Sequence, residues 1–275
     1  MKEKASNRIH YYENPQGPVI GTCSDKVIQE DGLYFRDING DGKLNTYKDW
    51  RKAPQERAQA LAEELSAEEK IGLLFLNSWK MGMEQEDKDF VDETGLLDEK
   101  PVEKGSSIFA TASTVGTTET IKDWKVRTFI LRSNPRPDEL ADWINEMNSL
   151  AEEGEHFIPV MVVSNSRNEN GEVVFGMNVA SGVFAAWPGT MGIAAAVKGD
   201  GLHIIDDFAD CIRREWDAVG MKKGYMYMAD CATDPRWQRT YGTFGEDSKL
   251  IKEIFERLIP GVQGSQEGLT PDGVA

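Results

Sequence analysis

Alternating strand-like and helix-like segments in the second half of the chain constrain its fold more than any other feature. Three apolar runs have strand length: VRTFIL at 126–131, IPVMVVS at 158–164 and YMYMA at 225–229. Each precedes a segment whose apolar residues recur at helical spacing, namely 138–153, 201–219 and 246–258. Strand–helix alternation predicts a parallel sheet with right-handed crossovers, and an unbroken apolar run is typical of a parallel strand buried on both faces. We therefore predict an α/β fold.

Polar segments directly follow two of these strands, SNSRN at 164–168 and ADCATDPRWQR at 229–239. In parallel-sheet folds, ligands bind just beyond the carboxyl ends of the strands. We therefore expect both segments to contribute to a ligand site. Asp230 is a candidate to line it, whereas Asp234 is expected to cap the turn that follows.

The region before the alternation is less regular. Residues 1–30 lack sustained periodicity and are interpreted as irregular. Together with an Asp-rich loop that follows, they are assigned to an N-terminal arm of residues 1–52, and residues 53–275 to the main domain. Residues 80–124 are acidic and rich in Gly, Ser and Thr, which predicts a long loop.

Two helices are predicted between the arm and the long loop. Pro54 suits the first turn of a helix, and Ser66 followed by Glu69 is the pattern of a capping box that starts a second one. Leu73 and Leu74 are expected on the buried face of that second helix.

Charge and composition exclude some classes of function. With 31 Lys and Arg against 47 Asp and Glu, the net charge is −16, and the basic clusters that bind nucleic acid are missing. The sequence contains no run of about 18 apolar residues, the length that would indicate a membrane span. The N-terminus lacks the apolar segment of a secretory signal, which favours a cytoplasmic location. The carboxylates on the predicted helices are expected to be solvated: Glu68, Glu69, Glu152 and Glu153.

The three cysteines do not suggest a metal site. Cys23, Cys211 and Cys231 are far apart and lack CxxC spacing, so we interpret them as buried free thiols.

Several segments, taken in order, resemble the N-terminal barrel domain of glycoside hydrolase family 3. They are RAQALAEELSAEEKIGLL (57–74), HFIPVMVVS (156–164), WPGTMGIAAAVKGD (187–200), DPRWQRTYGTFGED (234–247) and GVQG (261–264). DPRW followed by FGED at this spacing is the most specific of them. The resemblance implies a (β/α)8 TIM-type barrel that is incomplete in this chain, with a C-terminal domain of the same chain missing.

The resemblance also implies an activity: retaining hydrolysis of β-linked O-glycosides such as small glucosides or xylosides, without a required cofactor. Retention uses two carboxyl groups about 5–5.5 Å apart, one as nucleophile and one as acid/base. In the family both lie beyond the matched segments, so we assign no catalytic residue and expect residues 1–275 alone to be inactive. The alternative is a non-catalytic sugar-binding relative.

Part of a sugar-binding wall is implied by the same motifs. Arg239 matches the family arginine that contacts sugar hydroxyls, and Asn165 stands where most members have an Asp. Arg167 and Asn168 are expected to rim the pocket. Gln238 replaces a Gly of the family motif, and Gly242 replaces a Glu common in it. The departures at Asn165 and Gly242 favour the non-catalytic alternative. Two tryptophans could stack on a sugar but are expected to pack structurally: Trp187 and Trp237.

Residues 37–49, DINGDGKLNTYKD, resemble an EF-hand calcium loop. The candidate ligands at the first, third, fifth, seventh and ninth positions are Asp37, Asn39, Asp41, the carbonyl of Lys43, and Asn45. Gly42 suits the sharp turn at the sixth position. The twelfth position, normally a bidentate Glu, is Lys48, for which Asp49 could substitute. The loop predicts either a structural calcium site or a turn in which Asp and Asn accept backbone N–H bonds.

Overall fold

The computed structural model describes residues 2–101, 115–131, 135–164, 168 and 184–275. The chain forms two compact units. The first comprises Met1–Phe129 and Ala141–Val160, and the second comprises Ile130–Leu140 and Met161–Ala275. The predicted arm lies within the first unit, and its boundary at residue 52 stays a prediction.

Two β-hairpins lie in the predicted arm, and three of their four strands fall within residues 1–30, so the prediction that those residues are irregular was wrong. Strand β1 (His10–Tyr12) pairs antiparallel with β2 (Ile20–Thr22), and β3 (Val27–Glu30) pairs antiparallel with β4 (Leu33–Arg36). The second hairpin turns at Asp31 and Gly32, whose φ angles are 52° and 78°. An Asp-Gly pair with positive φ at both residues is the signature of a tight hairpin turn, and this local signal could have been read from the sequence.

The two predicted helices of the first unit are confirmed as α1 (Pro54–Glu64) and α2 (Ala67–Leu73). The capping box is present, because Glu69 N donates to Ser66 Oγ at 3.1 Å and Ser66 N donates to Glu69 Oε2 at 2.9 Å. The predicted buried face was wrong for Leu74, which is 85% exposed, whereas Leu73 is half-buried.

The predicted long loop is partly ordered where the structure describes it. Strand β5 (Leu76–Trp79) precedes it, and helix α3 (Thr117–Lys122) lies near its end. The two are joined by the Trp79 indole, which donates to Thr117 Oγ1 at 2.7 Å. Leu96 and Leu97 are buried, so this segment adds to the core of the first unit. Residues 102–114 lie outside the described residues.

The predicted α/β alternation is confirmed in its main elements. In chain order they are β6 (Thr128–Leu131), α4 (Pro137–Glu152), β7 (Met161–Ser164), α5 (Thr190–Asp200), α6 (His203–Val219), β8 (Lys223–Gly224) and α7 (Ser248–Gln263). Of these, helix α5 was not predicted. Strands β7 and β8 pair in parallel, with Val163 opposite Lys223. The strand predicted at 225–229 was wrong in position. The pairing ends at Gly224, and Met228 forms only an isolated parallel bridge to Thr243.

Helices α6 and α7 pack closely in the second unit. Ile205, Phe208 and Ile212 are fully buried on α6, as helical spacing predicted, and Ile254 is fully buried on α7. Gly261 allows this approach, because a Cβ there would lie 2.5 Å from the Cβ of Ala209. Among the described residues, no helix combines the length and apolar character that crossing a membrane requires.

Candidate active-site loop

The carboxyl ends of β7 and β8 lie side by side, as expected for parallel strands. Tyr225 N, just after β8, donates to the carbonyl of Ser164, the last residue of β7, at 3.0 Å. The chain after β8 therefore starts at the same edge as the predicted SNSRN segment. We call residues 229–243 the DPRW loop.

Backbone and side-chain hydrogen bonds hold the DPRW loop at both ends. Ala232 N donates to the carbonyl of Gly245 at 2.9 Å, and Thr190 Oγ1 on α5 donates to the carbonyl of Tyr241 at 2.9 Å. The parallel bridge between Met228 and Thr243 closes its base. These contacts support the backbone of the loop, which suits a binding site because a supported backbone places its side chains more precisely than a free loop does.

A row of aromatic rings anchors this platform in the core. Tyr227, just before the loop, lies 5.6 Å from Phe208 and 5.7 Å from Phe244, measured between ring centroids. Trp187 continues the row at 5.1 Å from Phe208. Trp187 thus packs structurally, as expected.

Within the loop, Asp234 and Arg236 neutralise each other. Asp234 Oδ1 accepts from the backbone N–H of Arg236 at 2.9 Å, and Oδ2 accepts from Arg236 Nη2 at 2.6 Å. The hydrogen bonds from Arg236 lower the pKa of Asp234. The prediction that Asp234 caps this turn is confirmed.

Asp230 and Arg239, by contrast, are exposed and available. Among the residues that the structure describes, neither side chain makes a hydrogen bond or an ion pair. Trp237 lies between them in sequence with 36% of its surface exposed, so its structural packing stays a prediction. A guanidinium supplies five donors, a carboxylate supplies acceptors, and an indole face covers apolar C–H groups. This combination matches the surface of a sugar ring.

The SNSRN segment is described only in part. Asn165 and Arg167 lie outside the described residues. Asn168 is buried: its Oδ1 accepts from the Trp216 indole at 3.0 Å, and its Nδ2 donates to Glu215. Since its amide is used inside the protein, the expectation that Asn168 rims a pocket was wrong.

We call residues 37–49 the Asp-rich loop. Lys48 lies at the centre of its predicted calcium ligands. Its Nζ donates to Asp37 Oδ1 at 2.6 Å, to Asp41 Oδ1 at 2.5 Å and to the carbonyl of Lys43 at 3.0 Å. Its side chain is fully buried.

The remaining candidate ligands have other contacts. Asn39 Nδ2 donates to Asp41 Oδ2 at 3.1 Å. Asp49 pairs with Arg51, whose Nε and Nη2 donate to its two carboxylate oxygens at 2.8 and 2.9 Å. Asn45 Oδ1 is buried without a hydrogen-bond partner in the described part of the chain. In that part, no group of three or more His, Cys, Asp or Glu is arranged to hold a metal ion.

Sequence reasoning missed several buried charges. Glu69 and Glu152 are buried rather than solvated, and they pair with His156 at 3.0 Å and with Arg36 at 2.5 Å. Arg127 is also buried, and burial lowers its pKa to about 10. Partners far apart in sequence leave no local pattern to read. These charges brace the first unit and lie outside the candidate site.

The prediction for the cysteines was half right. All three thiols are free, as expected, but each is only half-buried. Burial nonetheless raises the pKa of Cys23 and Cys211.

Comparison with known proteins assigns the family. The sequence model of the Glycosyl hydrolase family 3 N terminal domain matches residues 97–274. The "Periplasmic beta-glucosidase/beta-xylosidase" of Dickeya chrysanthemi is 33% identical over 260 residues, which cover 94% of this chain and 36% of that protein. The "Probable beta-glucosidase C" of Aspergillus oryzae is 31% identical over 223 residues, covering 81% of this chain and 31% of the relative.

Solved structures support the same fold. A β-glucosidase from Erythrobacter marinus superposes with a TM-score of 0.54 at 19% identity, covering 83% of this chain and 26% of that one. An exo-1,3/1,4-β-glucanase from a Pseudoalteromonas species gives a TM-score of 0.52 at 16% identity, covering 84% of this chain and 26% of that one. This chain spans about a third of the length of the curated relatives. The ordered motifs and the family match lead to one conclusion: the chain belongs to glycosyl hydrolase family 3, of whose N-terminal domain it contains the matched part.

Proposed function

We propose that this chain supplies one wall of the sugar-binding site of a retaining glycosidase that hydrolyses β-linked O-glycosides. The observation that carries the proposal is a pair of exposed charges, Asp230 and Arg239, which have no partner among the described residues and lie on a braced loop beyond the end of a parallel strand. Relatives named β-glucosidase and β-xylosidase support small β-glucosides or β-xylosides as substrates. The (β/α)8 barrel is part of this proposal.

Three side chains of the DPRW loop hold the sugar in this proposal: Asp230, Trp237 and Arg239. The Arg239 guanidinium donates to neighbouring hydroxyls, and Asp230 accepts from a hydroxyl through a charge-assisted hydrogen bond. Trp237 offers a partly exposed ring on the same loop. These contacts orient the glycoside and resist its rotation, so that an attacking carboxylate meets the anomeric carbon in line.

The carboxylates that perform the reaction are proposed to come from a C-terminal part of the same protein. Family resemblance assigns neither nucleophile nor acid/base to residues 1–275, so we propose that these residues alone bind sugar without cleaving it. Neither nucleic acid nor a membrane is among the proposed partners, and no cofactor is required. The cytoplasmic location and the sugar contacts of Asn165 and Arg167 stay predictions.

The test uses the product of the complete reading frame that contains this chain. It is assayed with p-nitrophenyl β-D-glucoside and β-D-xyloside, and the first-formed anomer is observed by NMR. We expect sustained release of nitrophenol and a β-configured first product, with no turnover by residues 1–275. Inversion, or sustained turnover by residues 1–275, would contradict the proposed mechanism.

Gly242 favours a second candidate, a non-catalytic sugar-binding relative. A Cβ at this position would lie 2.9 Å from Met228 Sδ, so the backbone here lies against a side chain and carries no carboxylate next to Arg239. Binding of glucose or xylose without turnover of any aryl β-glycoside by the complete product would favour this candidate.

A further inference from the structure

The Asp-rich loop of residues 37–49 already contains a cation, the Lys48 ammonium. The three N–H bonds of the Lys48 ammonium point to Asp37, Asp41 and the carbonyl of Lys43. These are the first, fifth and seventh positions of the loop, three of the positions that coordinate the ion in an EF-hand. An ammonium has three donors and no acceptor, so this set of oxygens satisfies it completely.

The rest of the loop folds as a cation loop does. Asp37 also accepts from the backbone N–H groups of Gly40 at 3.1 Å and Gly42 at 2.8 Å. Both glycines have positive φ angles, 72° and 71°, which other residues rarely adopt. The turn therefore places three of its oxygens around the ammonium.

The charges within the loop favour the ammonium over a metal ion. Lys48 enters from the twelfth position, where an EF-hand supplies a bidentate Glu, so the substitution removes a ligand and adds a positive charge. Calcium needs six to eight oxygens at about 2.3–2.6 Å, and a buried cation at the centre would repel it. Asp49 cannot replace the missing Glu while it is bound to Arg51.

One atom is not explained by the ammonium alone. Asn45 Oδ1, at the ninth position, is buried and has no hydrogen-bond partner among the described residues. In calcium loops this position often contacts the ion through a water. A water bound to Asn45 would satisfy it equally well with Lys48 in place.

The filled loop joins distant parts of the first unit. The carbonyl of Ile38 accepts from Phe157 N at 2.8 Å, and the ring of Tyr47 packs edge-on against His156 at 6.5 Å. His156 in turn pairs with Glu69 on α2. Ordering of the loop thus supports the start of the main domain.

We propose that Lys48 permanently occupies the cation position of this EF-hand-like loop, so that the loop folds without calcium and does not bind it. The inference is independent of the proposed glycosidase activity. Of the two alternatives that the loop pattern left open, it rejects the structural calcium site and agrees with the turn in which Asp side chains accept backbone N–H bonds.

The test measures calcium binding by titration calorimetry and the melting temperature in CaCl2 and in EDTA. The chain itself is expected to bind no calcium at the loop and to melt at the same temperature in both. Lys48→Glu restores the twelfth ligand and removes the competing charge. This variant is expected to bind one calcium. Its melting temperature should be about 5–10 °C higher in CaCl2 than in EDTA when free calcium is about 100 times Kd.

Lys43→Glu is the matched control. It changes the net charge by the same amount, but Lys43 contributes only its carbonyl to the loop and is exposed. It should behave like the unchanged chain. The proposal is overturned if the unchanged chain binds one calcium or melts lower in EDTA, a result that does not depend on any variant folding. Equal calcium responses of the two Glu variants would overturn it as well.

Discussion

The Asp-rich loop and the DPRW loop are both polar loops, yet they treat their charges in opposite ways. In the first, Asp37 and Asp41 surround a buried ammonium. In the second, Asp230 and Arg239 face solvent and have no partner among the described residues. Charges that satisfy one another hold a chain in shape, whereas unpaired charges on a rigid support are available to a ligand. Loop composition alone does not separate these two roles.

Asp37→Ala is the substitution with the largest expected effect. It leaves the buried Lys48 ammonium with one carboxylate, and removing one partner of a buried ion pair costs about 3–5 kcal/mol of the free energy of unfolding. Urea unfolding monitored by tryptophan fluorescence measures it. Arg236→Ala, in the other loop, removes a solvent-exposed ion pair but keeps the backbone N–H that Asp234 caps, so it should leave the midpoint almost unchanged. Equal losses in the two variants would break the comparison.

Arg239→Ala tests the functional side of the contrast. Hydrogen bonds from a charged donor contribute about 1.5–3 kcal/mol, so loss of the sugar contact should lower kcat/KM of the complete gene product about 10–150-fold. Thermal stability should not change, because the side chain holds nothing in the described structure.

Arg236→Ala is the control for that experiment. It removes another exposed arginine three positions earlier, one that is already paired with Asp234. Its kcat/KM should stay within about twofold of the unchanged enzyme, since a surface ion pair contributes little. If both variants lose activity equally, Arg239 has no specific contact with the sugar.

Glu69→Gln has the smallest expected effect. It applies the same contrast, between a buried paired charge and an exposed one, to the adjacent residues Glu69 and Glu68. Burial alone would raise the pKa of Glu69, but hydrogen bonds from Ser66 and His156 outweigh it and hold the pKa below its ordinary value of 4.5. A carboxyl group whose pKa is lowered by folding stabilises the folded state fully above its ordinary pKa. This stabilisation is lost as the pH falls through the folded-state pKa.

The measurement is the pH dependence of unfolding on the acid side. Stability of the unchanged chain should fall more steeply below pH about 4.5 than that of Glu69→Gln, with a difference in slope of at most about 1.4 kcal/mol per pH unit. Glu68→Gln, its exposed neighbour, should keep the steep acid limb. Parallel limbs for the unchanged chain and Glu69→Gln would show that Glu69 is not stabilised by folding.

Local signals predicted the local elements. Helical spacing predicted α4 and α6, and Ser66 with Glu69 predicted the start of α2, because such patterns involve residues within a turn or two of each other. The predicted range of β8 was wrong, because the ends of a strand depend on its partner, and the pairing with β7 ends at Gly224. The hairpin at Asp31 and Gly32 was a local signal that went unread.

By itself, the sequence determined the α/β alternation, the family motifs and the presence of Asp230 and Arg239 at a strand end, because periodicity and motif spacing are properties of neighbouring residues. Only the tertiary structure decided which charges are free. Asn168 was removed from the candidate site by Trp216, 48 positions away. Glu69 pairs with His156, 87 positions away, and the Lys48 ammonium donates to Asp37 inside the Asp-rich loop. Burial and pairing depend on what the folded chain brings together, and a pattern along the chain carries no record of that.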